Sequence, residues 1–159
     1  MVPPSTRRFR TPDDRLEPWV RGILVGIVIG LVGVFAIAIR LDPYRGDGSP
    51  RALATHQQLG LPPCTFLEVT GVPCPACGMT TSFSLLVRGD LMNSLRANWV
   101  GTLLAGFCLA LIPWGVYAIA YGRSLFVRSL ERALIGVVLV VLLLTMLRWG
   151  IVVCLMRFY

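Results

Sequence analysis

Gly22-Ile23-Leu24-Val25-Gly26-Ile27-Val28-Ile29-Gly30-Leu31-Val32-Gly33-Val34-Phe35-Ala36-Ile37-Ala38-Ile39 runs between Arg21 and Arg40 without a charge. As a helix rising 1.5 Å per residue it is roughly 27 Å long, close to the thickness of a bilayer's hydrocarbon core. Two more stretches have the same character. Trp99 to Tyr121 is uncharged and carries aromatic residues at both ends, where interfacial anchors belong. Ala133 to Met156 is broken only by Arg148 and is closed by Arg157. The chain therefore reads as an all-α membrane protein with three transmembrane helices, at 22–39, 99–121 and 133–156. A polar, Arg-rich tail (1–21) precedes them. A cysteine-bearing re-entrant or cap segment with short amphipathic helices (40–98) separates the first two, and a short basic loop (122–132) the last two. The first run also has features of a signal peptide, with Ala36-Ile37-Ala38 as a small-x-small site. Its length and long leader favour a retained helix.

Composition agrees with a membrane protein. Hydrophobic residues make up 55% of the chain and charged ones only 14%, against about 25% charged in soluble domains. A water-soluble monomer and a disordered chain are both excluded. All 15 basic residues are arginine, so chemistry that needs a lysine amine is absent. One histidine and eight acidic residues form a thin acid–base repertoire. The net charge of +7 calls for no nucleic acid, because anionic lipid headgroups are sufficient partners. Five arginines in the tail and three in the short loop face five in the long segment and one at Arg157. The positive-inside rule then places the N-terminus in the cytoplasm of a multi-pass protein of the bacterial inner (cell) membrane.

Gly22, Gly26 and Gly30 recur every fourth residue and share one helical face, where small residues let another backbone approach. The expected neighbour is this chain's own second or third helix. The alternative is a contact with a membrane protein partner or a second copy in a homo-oligomer. Arg148 is the other exception to an apolar span, and a charge at that depth suggests function. It is expected either to mark a helix end at Leu147, with its side chain reaching the interface, or to pair with Glu68.

The segment from Ala52 to Val87 has one formal charge, Glu68, and one histidine, His56. Pro62, Pro63, Pro73 and Pro75 forbid a continuous helix through it. Cys64, Cys74 and Cys77 lie here, the last two in Cys74-Pro75-Ala76-Cys77-Gly78. Met79, Phe83, Leu86 and Val87 then follow at helical spacing, so the pair is expected at the start of a short helix ending at Gly89. Asp90 is a natural N-cap for the next one. Cys108 and Cys154 are read as small apolar core residues. The Arg-Gly-Asp tripeptides at Arg45 and Arg88 are not read as adhesion motifs.

The sequence Cys64-Thr65-Phe66-Leu67-Glu68-Val69-Thr70-Gly71-Val72-Pro73-Cys74-Pro75-Ala76-Cys77-Gly78-Met79-Thr80, followed by Arg88-Gly89-Asp90-Leu91, resembles domain of unknown function family 2752. These are small bacterial membrane proteins with a Cys-Pro-x-Cys-Gly-x-Thr signature and an earlier cysteine upstream. The resemblance covers Cys64 to the early second span. It implies membrane residence and importance for the cysteines, and no reaction. The family often has Arg one position after the motif threonine, where this chain has Thr81. It often has Asn-Pro before the second span, where this chain has Asn98-Trp99.

Three chemistries suit such a triad. A Cys64–Cys74 or Cys64–Cys77 disulfide would staple the proline-rich segment, which makes the protein a non-catalytic component. A zinc site would use Cys64, Cys74 and Cys77 with His56 or Glu68 as fourth ligand. A membrane thiol–disulfide oxidoreductase would use Cys74, at a helix N-terminus, as the attacking thiolate of the Cys74–Cys77 pair, with Cys64 as a resolving or partner thiol. A transporter or channel subunit is a further alternative for the whole chain.

Overall fold

Pro18 opens the first helix, at a position where its missing N–H has no intrahelical partner to lose. This helix, α1 (Pro18–Arg40), has no charge between Arg21 and Arg40. It ends with Arg40 in its last turn, where a cation meets the negative end of the helix dipole. The computed structural model describes residues 16–122 and 130–158, with backbone alone at 130, 131, 157 and 158. The Arg-rich tail up to residue 15 and the basic loop at 123–129 lie outside the described residues.

After α1 come a 3-10 turn (Thr55–Leu59), α2 (Thr65–Thr70), α3 (Met79–Val87), α4 (Leu91–Tyr121) and α5 (Leu130–Phe158). The described residues contain no strand, only an isolated bridge between Tyr44 and Pro50. Three of the described helices are long and apolar enough to cross a membrane: Pro18–Arg40, Leu91–Tyr121 and Arg132–Met156. The fold is therefore an all-α, three-helix membrane architecture with the cysteine-bearing segment between the first and second long helices.

α3 lies along the first part of α4, and α1 packs against both. The α3–α4 seam is built from small polar residues. Ser82, Ser84, Ser94 and Thr102 are buried. Ser94 Oγ donates to the Ser82 carbonyl (2.8 Å) and bonds Thr102 Oγ1 (2.7 Å). A Cβ at Gly101 would collide with Ser82 Oγ, so glycine is what lets the two helices touch. In a membrane such small, hydroxyl-bearing seams replace hydrophobic packing, because lipid is as apolar as leucine. On the α1 side, Phe35 stacks on Phe83 with centroids 5.7 Å apart.

The expected close packing of Gly22, Gly26 and Gly30 against the chain's own helices does not occur. All three are exposed, and no described atom of another helix lies within 4 Å of where a Cβ would stand. α1 turns Leu24, Phe35 and Ala38 inward instead. It comes close to α4 at Gly115, where a Cβ would meet Val28 Cγ2 at 2.7 Å. The expected helix end at Leu147 is also absent. α5 continues through Arg148 to Phe158, because the guanidinium finds a partner inside the protein. Cys108 is half-buried, but Cys154 is exposed and is no core residue, since it lies on an outward face of α5.

Candidate cysteine centre

Cys64 is the N-cap of α2, with extended backbone (φ −66°, ψ 106°). α2 stops at Gly71, whose φ of +71° turns the chain back. Thr70 Oγ1 secures this return by donating to the Phe66 carbonyl (2.6 Å) and accepting from Val72 N (3.2 Å). The chain then enters the Cys74-Pro75-Ala76-Cys77 turn, closed by Cys77 N donating to the Cys74 carbonyl (3.0 Å). Gly78 leads into α3 with a φ of +84°. A Cβ there would stand 2.6 Å from the Ala97 carbonyl oxygen, so both conformation and space demand glycine.

These two turns face one another. The Sγ atoms of Cys64, Cys74 and Cys77 all lie within 4.8 Å of each other, and those of Cys74 and Cys77 are 3.0 Å apart. The thiols are electrostatically unequal. The Leu67 N–H at the start of α2, helped by the Cys77 and Cys74 thiols, holds Cys64 below the usual thiol range. Burial pushes Cys77 up to about 12, and its hydrogen bonds with the Cys74 and Cys64 thiols push the same way. Cys64 and Cys77 are thus pushed in opposite directions.

A cavity of about 320 Å³ opens beside the three sulfurs, and His56 and Glu68 also line it. Neither belongs to the group within 4.8 Å, so the tight cluster is all sulfur. His56 is half-buried and Glu68 exposed. Above the cavity, Thr55 Oγ1 and Thr81 Oγ1 are bonded at 2.8 Å and both residues are buried. This fixes the 3-10 turn to α3.

Behind the sulfurs α4 is broken. Asn98 has φ −160° and ψ 101°, which is not helical. In an unbroken helix Gly101 N–H would bond the Ala97 carbonyl. Here it goes to Asn98 Oδ1 instead (3.0 Å). Asn98 Nδ2 donates to the Cys77 carbonyl (3.2 Å). The freed Ala97 carbonyl accepts from Arg148 Nη2 (3.0 Å). Arg148 thereby comes close enough for its charge to be felt at Cys77 and Cys74. The expected Arg148–Glu68 pair does not form, since Glu68 points outward and a backbone carbonyl takes its place. Next to Arg148, Trp149 Nε1 donates to the Pro73 carbonyl (3.0 Å), and its ring meets Phe66 edge-on at 6.1 Å.

The structure thus brings together Cys64, Cys74, Cys77 and Arg148, with His56 and Glu68 at the cavity. It adds Asn98 and Trp149. Asn98 carried a signal, an N-capping residue type immediately before an apolar run. Trp149 carried none, because its partner is a carbonyl far away in the sequence.

Residues 64–112 match the model of a family described as Protein of unknown function (DUF2752). No curated protein and no solved structure matches the chain.

Proposed function

We propose that this small multi-pass membrane protein, with DUF2752 at its centre, is a non-catalytic component whose cysteine triad fixes the segment between its first two spans. One observation carries this reading: three sulfurs from two separate turns converge within 4.8 Å. The ties around them go to backbone carbonyls, from Asn98, Arg148 and Trp149. Such bonds hold a shape. Protein partners in the membrane are supported by the exposed glycine face of α1 and by the apolar window of α5, none of which is buried within the chain. The arginine distribution favours a cytoplasmic N-terminus in a bacterial cell membrane, with the cysteine segment on the opposite side.

Replacing Cys64, Cys74 or Cys77 by Ser is expected to lower thermal stability in detergent by about 2–4 kcal/mol, the scale of a structural cross-link. Cys108→Ala and Cys154→Ala are expected to change it little. If all three serine variants melt like the parent, the triad is not a structural unit.

A second reading, a membrane thiol–disulfide oxidoreductase, is favoured by the unequal thiols, with Cys64 held below the usual thiol range and Cys77 pushed above it. It differs in its outcome: Cys64→Ser would abolish exchange with an added disulfide while leaving the melting temperature in place.

A further inference from the structure

Resting on the reading of the triad as one unit, we propose that Cys64, Cys74 and Cys77 bind a divalent soft cation of the zinc class, with Arg148 balancing the charge of the complex. The first ground is geometric. Tetrahedral zinc with Zn–S bonds of about 2.3 Å holds its sulfurs about 3.8 Å apart. The three sulfurs here lie within 4.8 Å, with the closest pair at 3.0 Å. Adjustments of about an ångström would seat the ion, with no change in the turns. A disulfide would use two of the sulfurs and leave the convergence of the third unexplained.

The second ground is charge. Three thiolates and a divalent ion leave one net negative charge beside apolar helices. Arg148, held on the Ala97 carbonyl behind Gly78, supplies one positive charge there. A monovalent ion such as Cu(I) would leave the unit negative. Hard cations such as magnesium or calcium require oxygen ligands and are refused by an all-sulfur cluster. The sum also bears on the fourth position, which faces the cavity. A neutral ligand, water or the His56 imidazole, preserves the balance, whereas the Glu68 carboxylate would upset it. Binding converts three S–H groups into three S–Zn bonds and releases three protons to solvent.

The test uses the full chain in detergent, reduced and stripped by a chelator, then titrated with Zn²⁺ alone against a chromophoric competitor. The expected result is one equivalent bound at submicromolar Kd, and, with Co²⁺ in its place, thiolate-to-metal charge-transfer absorption. Cys64→Ser, Cys74→Ser and Cys77→Ser should each weaken binding at least tenfold. Arg148→Met should weaken it about tenfold, as loss of an outer partner does. Cys108→Ala and Cys154→Ala should bind as the parent. Less than one equivalent bound by the reduced parent, or cobalt binding without the thiolate band, overturns the proposal. The two readings fail separately. If the serine variants are destabilised but the parent takes no zinc and instead carries an internal disulfide, lighter by two hydrogens, the triad stands and the metal does not. If the serine variants melt like the parent, the structural unit itself is gone.

Discussion

Gly78 shows how tightly single residues are specified around the cysteines. Its backbone is left-handed, and a methyl group would meet the Ala97 oxygen at 2.6 Å. Gly78→Ala is expected to cost more than the 1–3 kcal/mol or so of backbone strain alone. Gly60 is a control, since it has a similar φ of +76° and open space around it. Gly60→Ala should lower the melting temperature visibly less than Gly78→Ala does. The Cys74–Gly78 motif was legible in the sequence, because a cysteine pair around proline and before glycine is a turn by composition. Arg148 was legible as an anomaly, but its partner was not. The sequence offered Glu68 as the nearest opposite charge in kind. The actual acceptor is a carbonyl, available only because α4 breaks at Asn98. Asn98, an N-capping type before an apolar run, hinted at the break, but residue identity does not reveal which distant donor takes the carbonyl it frees.

Arg88-Gly89-Asp90 joins two elements end to end. Arg88 donates to the Ala38 and Ile39 carbonyls (3.3 and 2.9 Å), which places a cation on the exposed carbonyl end of α1. Gly89 turns with φ +78°. Asp90 caps α4, accepting from Asn93 N (3.3 Å) and Asn93 Nδ2, and it also accepts from the Tyr44 hydroxyl (3.1 Å). The N-cap was legible from residue type, whereas the hold of Arg88 on α1 required the fold. Asp90→Ala is expected to cost about 0.5–2 kcal/mol. The Asn93 side chain, followed by its backbone N–H and the Tyr44 hydroxyl, holds the Asp90 carboxyl below its ordinary value of 3.8. A carboxylate with a lowered folded pKa contributes stability above its unfolded pKa, and that contribution disappears as pH falls through the folded one. Melting followed from about pH 6 to pH 3 should show a component of acid destabilisation in the parent that Asp90→Asn lacks. Identical acid limbs would remove Asp90 from this role.

For the molecule as a whole, hydropathy displayed the three long helices, since length and apolar content are local properties. The packing between them was hidden. The spacing of Gly22, Gly26 and Gly30 suggested an internal seam, but the chain uses Gly101 and Gly115, which have no such repeat. The proposed topology, in which all three long helices cross, puts the tail and the 122–132 loop on one side and the cysteine segment on the other. Reporter fusions at the N-terminus and in the 122–132 loop should both read cytoplasmic, while one near Arg51 should read external. A cytoplasmic signal near Arg51 would reverse the proposed orientation.

The clasp formed by α5 also sets a timetable. Trp149 follows Pro73 by 76 residues, and Arg148 follows Ala97 by 51. At about 5–20 residues per second of synthesis, the Trp149 clasp trails its acceptor by about 4–15 s. The thiols thus leave the ribosome well before the residues that brace their turns. During that interval the two cysteine turns lack the bonds that α5 supplies to the Pro73 and Ala97 carbonyls. Trp149 and Arg148 then brace the finished turns, while the cavity beside the sulfurs still leaves them open to an ion or oxidant that comes later.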